Sequence, residues 1–181
     1  RHAVCYLMTE PLEDTLAAFA RLGRQLAEAG RYPEPATPHL LGAYEVRQAD
    51  AAPSARVSAA AVPFRAHRGN YLIVERPTPA DGLADWWRWH DTEHAPALLA
   101  TDGVAGVTTF EATARLGTGA DQGPRFGTAP WDPGESMVTV VHLDDDVDET
   151  TSRIDPLVRA RWGSGAVIAR LAGPFRSPLT Y

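Results

Sequence analysis

Two short segments of this 181-residue chain read almost alike: Tyr6-Leu7-Met8-Thr9-Glu10-Pro11 and Tyr71-Leu72-Ile73-Val74-Glu75-Arg76-Pro77. Each is an apolar run closed by a proline that cannot continue a β-ladder, and each is followed by a helical pattern. An internal echo of this kind constrains architecture more than any composition does, because it implies that one strand–helix–strand unit is used twice.

In the first copy, residues 3–9 read as a strand and residues 12–29 as an amphipathic helix. Leu12, Leu16, Phe19, Ala20, Leu22 and Leu26 recur at helical spacing, and Gly30 supplies a stop. A Pro-rich connector, Tyr32–Pro38, leads to a strand near Leu40–Arg47, a loop through Pro53, and an extended run near Val57–Phe64. The second copy is fuller. It has a strand over 70–76, a helix over 80–100 stopped by Gly103, and a strand over 104–114. A Gly- and Pro-rich loop covers 115–135, and a β-branched strand follows over 136–143. The acidic run Asp144-Asp145-Asp146 suits the start of a helix over 147–162, where Pro156 predicts a kink or a split. A last strand over 169–176 completes β-α-β-β-α-β, the ferredoxin-like split unit.

A formal charge of -6 argues against nucleic acid, which selects a basic surface. Cys5 is the only cysteine, so neither an intrachain disulfide nor a thiolate metal cluster can form. It sits in an apolar run, where the expectation is a buried, inert thiol. No stretch approaches a membrane span, and the start, Arg1-His2-Ala3-Val4, lacks a signal-peptide core, so the expected location is cytoplasmic.

The segment richest in chemistry is Trp86-Trp87-Arg88-Trp89-His90-Asp91-Thr92-Glu93-His94-Ala95-Pro96. On a helix His90 and His94 stand one turn apart on one face, as do Trp86 and His90. An apolar stripe through Leu83, Trp87, His94 and Leu98 aims at least one imidazole toward the sheet. Such rings are either hydrogen-bonded core histidines or they face a cleft. An imidazole titrates near working pH, and a neighbouring carboxylate, Asp91 or Glu93, can orient it for acid–base work. His90 is the candidate acid–base and His94 its assistant, with Trp86, Trp87, Tyr71, Tyr6 and His142 as candidate substrate contacts. Core and interface packing is the competing reading of the tryptophans.

A Trp-rich helix carrying His-x-x-Glu-His-x-Pro, then Leu98-Leu99, Asp102-Gly103-Val104 and a strand, resembles the signature helix of EthD-like dimeric α/β-barrel proteins. The resemblance covers Asn70 to about Phe175, with the first 68 residues as a shortened copy lacking the second helix. It implies an α+β fold of tandem ferredoxin-like units of the dimeric α/β-barrel type. Residues 1–68 form the shortened repeat and residues 69–181 the full unit, with helices outside and a small-molecule cleft beside the signature helix. Polyketide cyclases, lactone isomerases, dehydratases, cofactor-free monooxygenases and haem enzymes are related families, so the fold is better specified than the reaction.

The resulting expectation is a homodimeric small-molecule enzyme that uses no cofactor and no metal. It performs cyclisation, dehydration or isomerisation on an apolar carbonyl or aromatic intermediate. The alternatives are a ligand- or haem-binding barrel without turnover, and a purely structural or regulatory barrel whose histidines are buried and satisfied. A zinc hydrolase is a further alternative, because His90-Asp91-Thr92-Glu93-His94 matches the His-x-x-Glu-His pattern in which two histidines hold zinc and the glutamate is the base. Against zinc, Pro96 follows where that motif expects the helix to continue, and only a distant carboxylate such as Glu149 could supply a third ligand.

Overall fold

The structure is a computed structural model that describes residues 8, 11–31, 44–78, 82–112 and 136–177. The chain forms two compact units, residues 1–43 with 114–133 and residues 44–113 with 134–181. In the first, α1 spans Leu12–Glu28, as the apolar spacing predicts. It ends where Arg31 N–H bonds the Leu26 carbonyl across Gly30, whose φ of 64° is the left-handed conformation such a stop requires. Cys5, Tyr6, the strand expected over 3–9 (save residue 8), the connector 32–38 and the loop 115–135 lie outside the described residues.

The second unit is α+β, built on a five-stranded antiparallel sheet. Its strands are β1 (Tyr44–Ala51), β2 (Gly69–Pro77), β3 (Val104–Ala112), β4 (Met137–Leu143) and β5 (Val167–Arg176), in the spatial order β1-β3-β4-β2-β5. Between β2 and β3 run α2 (Leu83–Trp89), a π turn (His90–His94) and α3 (Ala95–Leu99), and between β4 and β5 runs α4 (Val147–Gly163). The chain therefore crosses over β4 to reach β3, and over β2 to reach β5. Both crossovers lie on one face of the sheet. Leu98 of α3 and Ile154 and Val158 of α4 share a single core with Tyr71, Ile73, Val107, Val141 and Leu143 from three strands. Burying those side chains supplies the main driving force for this layer, at about 1.5–3 kcal/mol for each large one.

The acidic run starts α4 as expected. The Asp146 carboxylate accepts from the backbone N–H groups of Asp148 (3.0 Å) and Glu149 (2.9 Å). One expectation needs correction and two are met in part. The run Val57–Phe64 is not extended: Ala59–Phe64 is a 3-10 helix, a tight turn in which Pro63 gives up no ladder bond. The strand expected near Leu40–Arg47 is described over Tyr44–Ala51 and hydrogen-bonds along β3. Of the kink or split expected at Pro156, the split is absent from α4, which spans Val147–Gly163. The chain runs through as one helix because Ile154 and Val158, on either side, are buried against the sheet and hold it across the missing N–H.

Gly103 turns the chain from α3 into β3 with φ at 91°. A Cβ there would stand 2.4 Å from Thr150 Oγ1 and 3.0 Å from Asp145 Cβ. Gly103→Ala is therefore expected to destabilise by about 2–4 kcal/mol, from left-handed strain plus displacement of α4. Urea denaturation checks this, and an unchanged midpoint would count against the packing described here.

Candidate functional site

The helical segment from Leu83 to Leu99 sits on the sheet through Trp86, His90, His94, Ala95 and Leu98, all buried. Leu83 and Trp87, placed on the buried stripe by spacing alone, are only partly buried. The π turn explains the difference. At about 100° per residue, a four-residue step in an α-helix overshoots a turn by about 40°, so three steps would swing Leu98 well away from Trp86. One wider turn absorbs an extra residue and brings 86, 90, 94 and 98 back onto one line. Its marker is the Ala95 N–H, which reaches back five residues to the His90 carbonyl. The helix thus continues past Pro96 to Leu99, in keeping with the helix expected over 80–100.

His90 is fully buried, with 0% of its surface exposed. Its Nδ1 lies 3.2 Å from Asp91 Oδ1 and its Nε2 lies 2.9 Å from Thr109 Oγ1 on β3. The carboxylate can only accept, so the network assigns the proton to Nδ1 and leaves Nε2 to accept from the threonine hydroxyl. The result is a hydroxyl–imidazole–carboxylate chain whose outer end, Asp91, is half exposed. Burial pushes the His90 pKa down, and Asp91 and then Asp50 push back.

His94 stacks on Trp89 with ring centroids 4.4 Å apart, and its ring centre is 6.1 Å from that of His90. The Arg161 guanidinium covers Trp89 at 4.0 Å. Burial, then His90 and Arg161, lower the His94 pKa to about 3, so the ring is neutral at neutral pH. It makes no side-chain hydrogen bond among the described residues.

Beneath this pair lies a carboxylate that spacing did not single out. Glu75 is buried and accepts from Trp86 Nε1 (2.7 Å) and Trp162 Nε1 (2.9 Å), and burial raises its pKa. Trp86 in turn stacks on His90, with centroids 4.8 Å apart. The signal was present in the sequence: Glu75 has the same strand parity as Tyr71 and Ile73, so it must face the core with them.

The other candidates are scattered. Trp87 stands edge-on to His90 at 5.6 Å and is half-buried. Glu93 is exposed. Tyr71 faces the helices but donates its hydroxyl to Asp155 of α4, and burial, then that contact, raises its pKa. His142 is not brought to His90. Its Nε2 lies 3.1 Å from Thr108 Oγ1, whereas His90 meets Thr109, and adjacent strand residues point to opposite faces. On that far face His142 packs against His67, which bridges Asp144 Oδ1 (2.6 Å) and the Val62 carbonyl (2.7 Å). Burial, and then His67, lower the His142 pKa to about 4.

Two further residues enter from β1. A bulge between Val46 and Gln48 shifts the register, so that Gln48 pairs with Thr109 and Asp50 with Val107. Directly opposed residues share a face, so both side chains stand on the helix side near His90. Gln48 Nε2 donates to Asp50 Oδ2 at 2.8 Å.

No group of three His, Cys, Asp or Glu side chains among the described residues is placed to hold a metal ion, and Glu149 is paired with Arg153 at 2.6 Å. No helix among the described residues is long and apolar enough to cross a membrane. No family model, curated protein or solved structure matches this chain.

Proposed function

We propose that the chain is a small-molecule enzyme of the dimeric α/β-barrel type, moving a proton on a neutral carbonyl or aromatic compound with His90 as the acid–base. The ferredoxin-like reading is supported by the succession from β2 to β5, whose order β3-β4-β2-β5 is that of a β-α-β-β-α-β unit with β1 added at its edge. The observation that carries the chemistry is the Thr109–His90–Asp91 chain. A neutral imidazole is tethered at both nitrogens, and the outermost group reaches water. Asp91 holds the ring in one tautomer and stabilises the cation formed when Nε2 takes a proton. His94, neutral and without a hydrogen bond among the described residues, stands beside it as a substrate contact. Trp87 is half-buried against the edge of the ring.

The test is deuterium incorporation from D2O at the activated C–H of neutral aryl ketones, α-tetralone among them, followed by NMR. His90→Asn is expected to slow exchange by about 10²–10⁴-fold, the usual worth of a positioned general base. Asp91→Asn is expected to slow it less. The complete burial of His90 supports a second reading, in which the ring is a core element. That reading predicts a loss of stability in His90→Asn with no exchange activity to lose. Wild-type protein that exchanges no ketone above the buffer rate rejects the enzymatic reading.

A further inference from the structure

Helix α4 carries three arginines, and one of them is left without a carboxylate. Arg153 pairs with Glu149 at 2.6 Å and Arg159 with Asp155 at 3.3 Å, each one turn back along the helix. The residue one turn back from Arg161 is Leu157, which offers no charge. Arg161 makes no ion pair and no side-chain hydrogen bond among the described residues, and its Nε is buried without a partner. A guanidinium carries five N–H donors in a planar fork, and leaving a buried one unspent costs stability. Packing on the Trp89 face at 4.0 Å uses none of those donors.

Two other groups lie close to it. His94 stacks on the same indole, with centroids 4.4 Å apart, and is nine-tenths buried without a hydrogen bond among the described residues. Arg161 helps to keep that ring neutral, so His94 retains one N–H to donate. Glu75 is the neighbouring carboxylate, but its two oxygens already accept from Trp86 and Trp162, and Arg161 acts on it only through space. The charges of Glu75 and Arg161 therefore balance, while the N–H groups of Arg161 and His94 stay unspent. Such a corner suits a neutral acceptor at rest, and its donors gain most when negative charge develops on that acceptor. The acid–base ring is adjacent, since the His90 and His94 ring centres are 6.1 Å apart.

We propose that Arg161, with the His94 N–H beside it, receives the carbonyl oxygen of the substrate and holds the negative charge that forms there when His90 removes a proton. The inference rests on the reading of His90 as the acid–base and deepens it by naming the electrophilic partner. In this step His90 Nε2 takes the proton of the C–H next to the carbonyl. The C–H electron pair becomes the second bond of a new C=C, and the C=O π pair moves onto oxygen as an enolate. Return of a solvent-derived proton or deuteron to carbon restores the ketone, so nothing is oxidised or reduced. The substrate class narrows to neutral ketones with an enolisable C–H, and aromatic compounds that lack a carbonyl fall outside it.

The experiment uses the whole protein and 1-naphthol, an aromatic analogue of the enol of α-tetralone. Its ionisation is followed through the naphtholate absorption band, free and bound. Bound 1-naphthol is expected to ionise at a pH lower by about one unit or more, which is a tenfold or greater preference for the oxyanion over the neutral phenol. Arg161→Gln is expected to remove most of that shift, and Arg161→Lys, which keeps the charge and loses the fork, to retain the greater part. In ketone exchange Arg161→Gln is expected to lower kcat by about 10²-fold with little change in KM, the mark of a contact made as charge develops. Bound and free 1-naphthol that ionise alike overturn the proposal, and that wild-type comparison decides even where Arg161→Gln does not fold. So does a shift that survives Arg161→Gln, or no binding of 1-naphthol. A shift lost as fully in Arg161→Lys as in Arg161→Gln overturns it as well, because it assigns Arg161 to packing on Trp89. Ionisation is read without turnover, so an Arg161-dependent shift in a protein that exchanges no ketone rejects the enzymatic reading and leaves the oxyanion site. Ketone exchange that depends on His90, with no shift in 1-naphthol, rejects this inference alone.

Discussion

Between pH 7 and pH 4 the protein is expected to lose several kcal/mol of folding stability, and the loss should begin as pH falls below about 6.5. The cause is three buried imidazoles. His94 is pushed from its ordinary 6.5 down to about 3 and His142 down to about 4, while His90 is lowered chiefly by burial. In the unfolded chain these rings take up protons near pH 6.5, whereas the folded chain refuses them until pH is much lower. Over that interval the unfolded state binds more protons, so acid pulls the equilibrium toward it. Each ring contributes about 1.4 kcal/mol per pH unit while it remains neutral in the fold and charged outside it. The stability is complete above 6.5 and is lost progressively toward 3. Glu75 acts in the opposite direction, because its raised pKa means that acid relieves the cost of its buried charge. One such carboxylate offsets only part of the effect of three histidines. Urea midpoints measured at pH 7, 6, 5 and 4.5 should fall steadily, and His94→Phe should flatten the curve. A midpoint independent of pH over this range would refute the buried, neutral assignment of the rings.

Much of the second unit is legible in the sequence because single residues announce it. The β-branched run Met137–Leu143 is a strand, Asp146 caps α4, and Gly103 turns the chain with a positive φ. The closeness of His90 to His94 follows from helical spacing, whereas His90 and Asp91 are chain neighbours that helical spacing turns apart. What spacing hides is any step that changes its own period. The π turn inserts one residue into the helical count, so Trp86 rather than Trp87 enters the core beside His90. The bulge at Arg47 inserts one residue into the strand count, so Gln48 and Asp50 turn toward the helices. Neither insertion has a local signature in composition. Each is set by tertiary packing, Leu98 against the sheet in one case and the ladder with β3 in the other. Thr109 was equally hidden, since a threonine inside an apolar strand reads as β-propensity until the ring above it is placed. His142 shows the converse limit: a histidine on a strand has two faces to choose from, and only the register shows that it points away from His90.

The second large effect is expected at Trp86, where packing and electrostatics meet. Its indole is buried and stacks on His90, and it gives Glu75 one of its two hydrogen bonds. Trp86→Ala is expected to destabilise by about 3–5 kcal/mol through the cavity alone. The Glu75 oxygen it leaves behind in a dry site adds about 1–3 kcal/mol. The two contributions can be separated. Trp86→Phe retains most of the ring but has no N–H, so it isolates the lost hydrogen bond and is expected to cost about 1–3 kcal/mol. Glu75→Gln on the Trp86→Phe background replaces the carboxylate oxygen that has lost the Trp86 N–H, and is expected to recover part of that loss. The two substitutions are then less than additive, as neighbours in one network must be. Urea denaturation of the two single variants and the double variant gives the coupling directly. Trp86→Phe as stable as the parent, or strict additivity in the double variant, would mean that the Trp86–Glu75 hydrogen bond contributes nothing. A coupled result would mean that the floor under His90 is held by a buried charge. The indole stacked on His90 then keeps its place through Glu75, and a loss at either indole partner should lower ketone exchange along with stability.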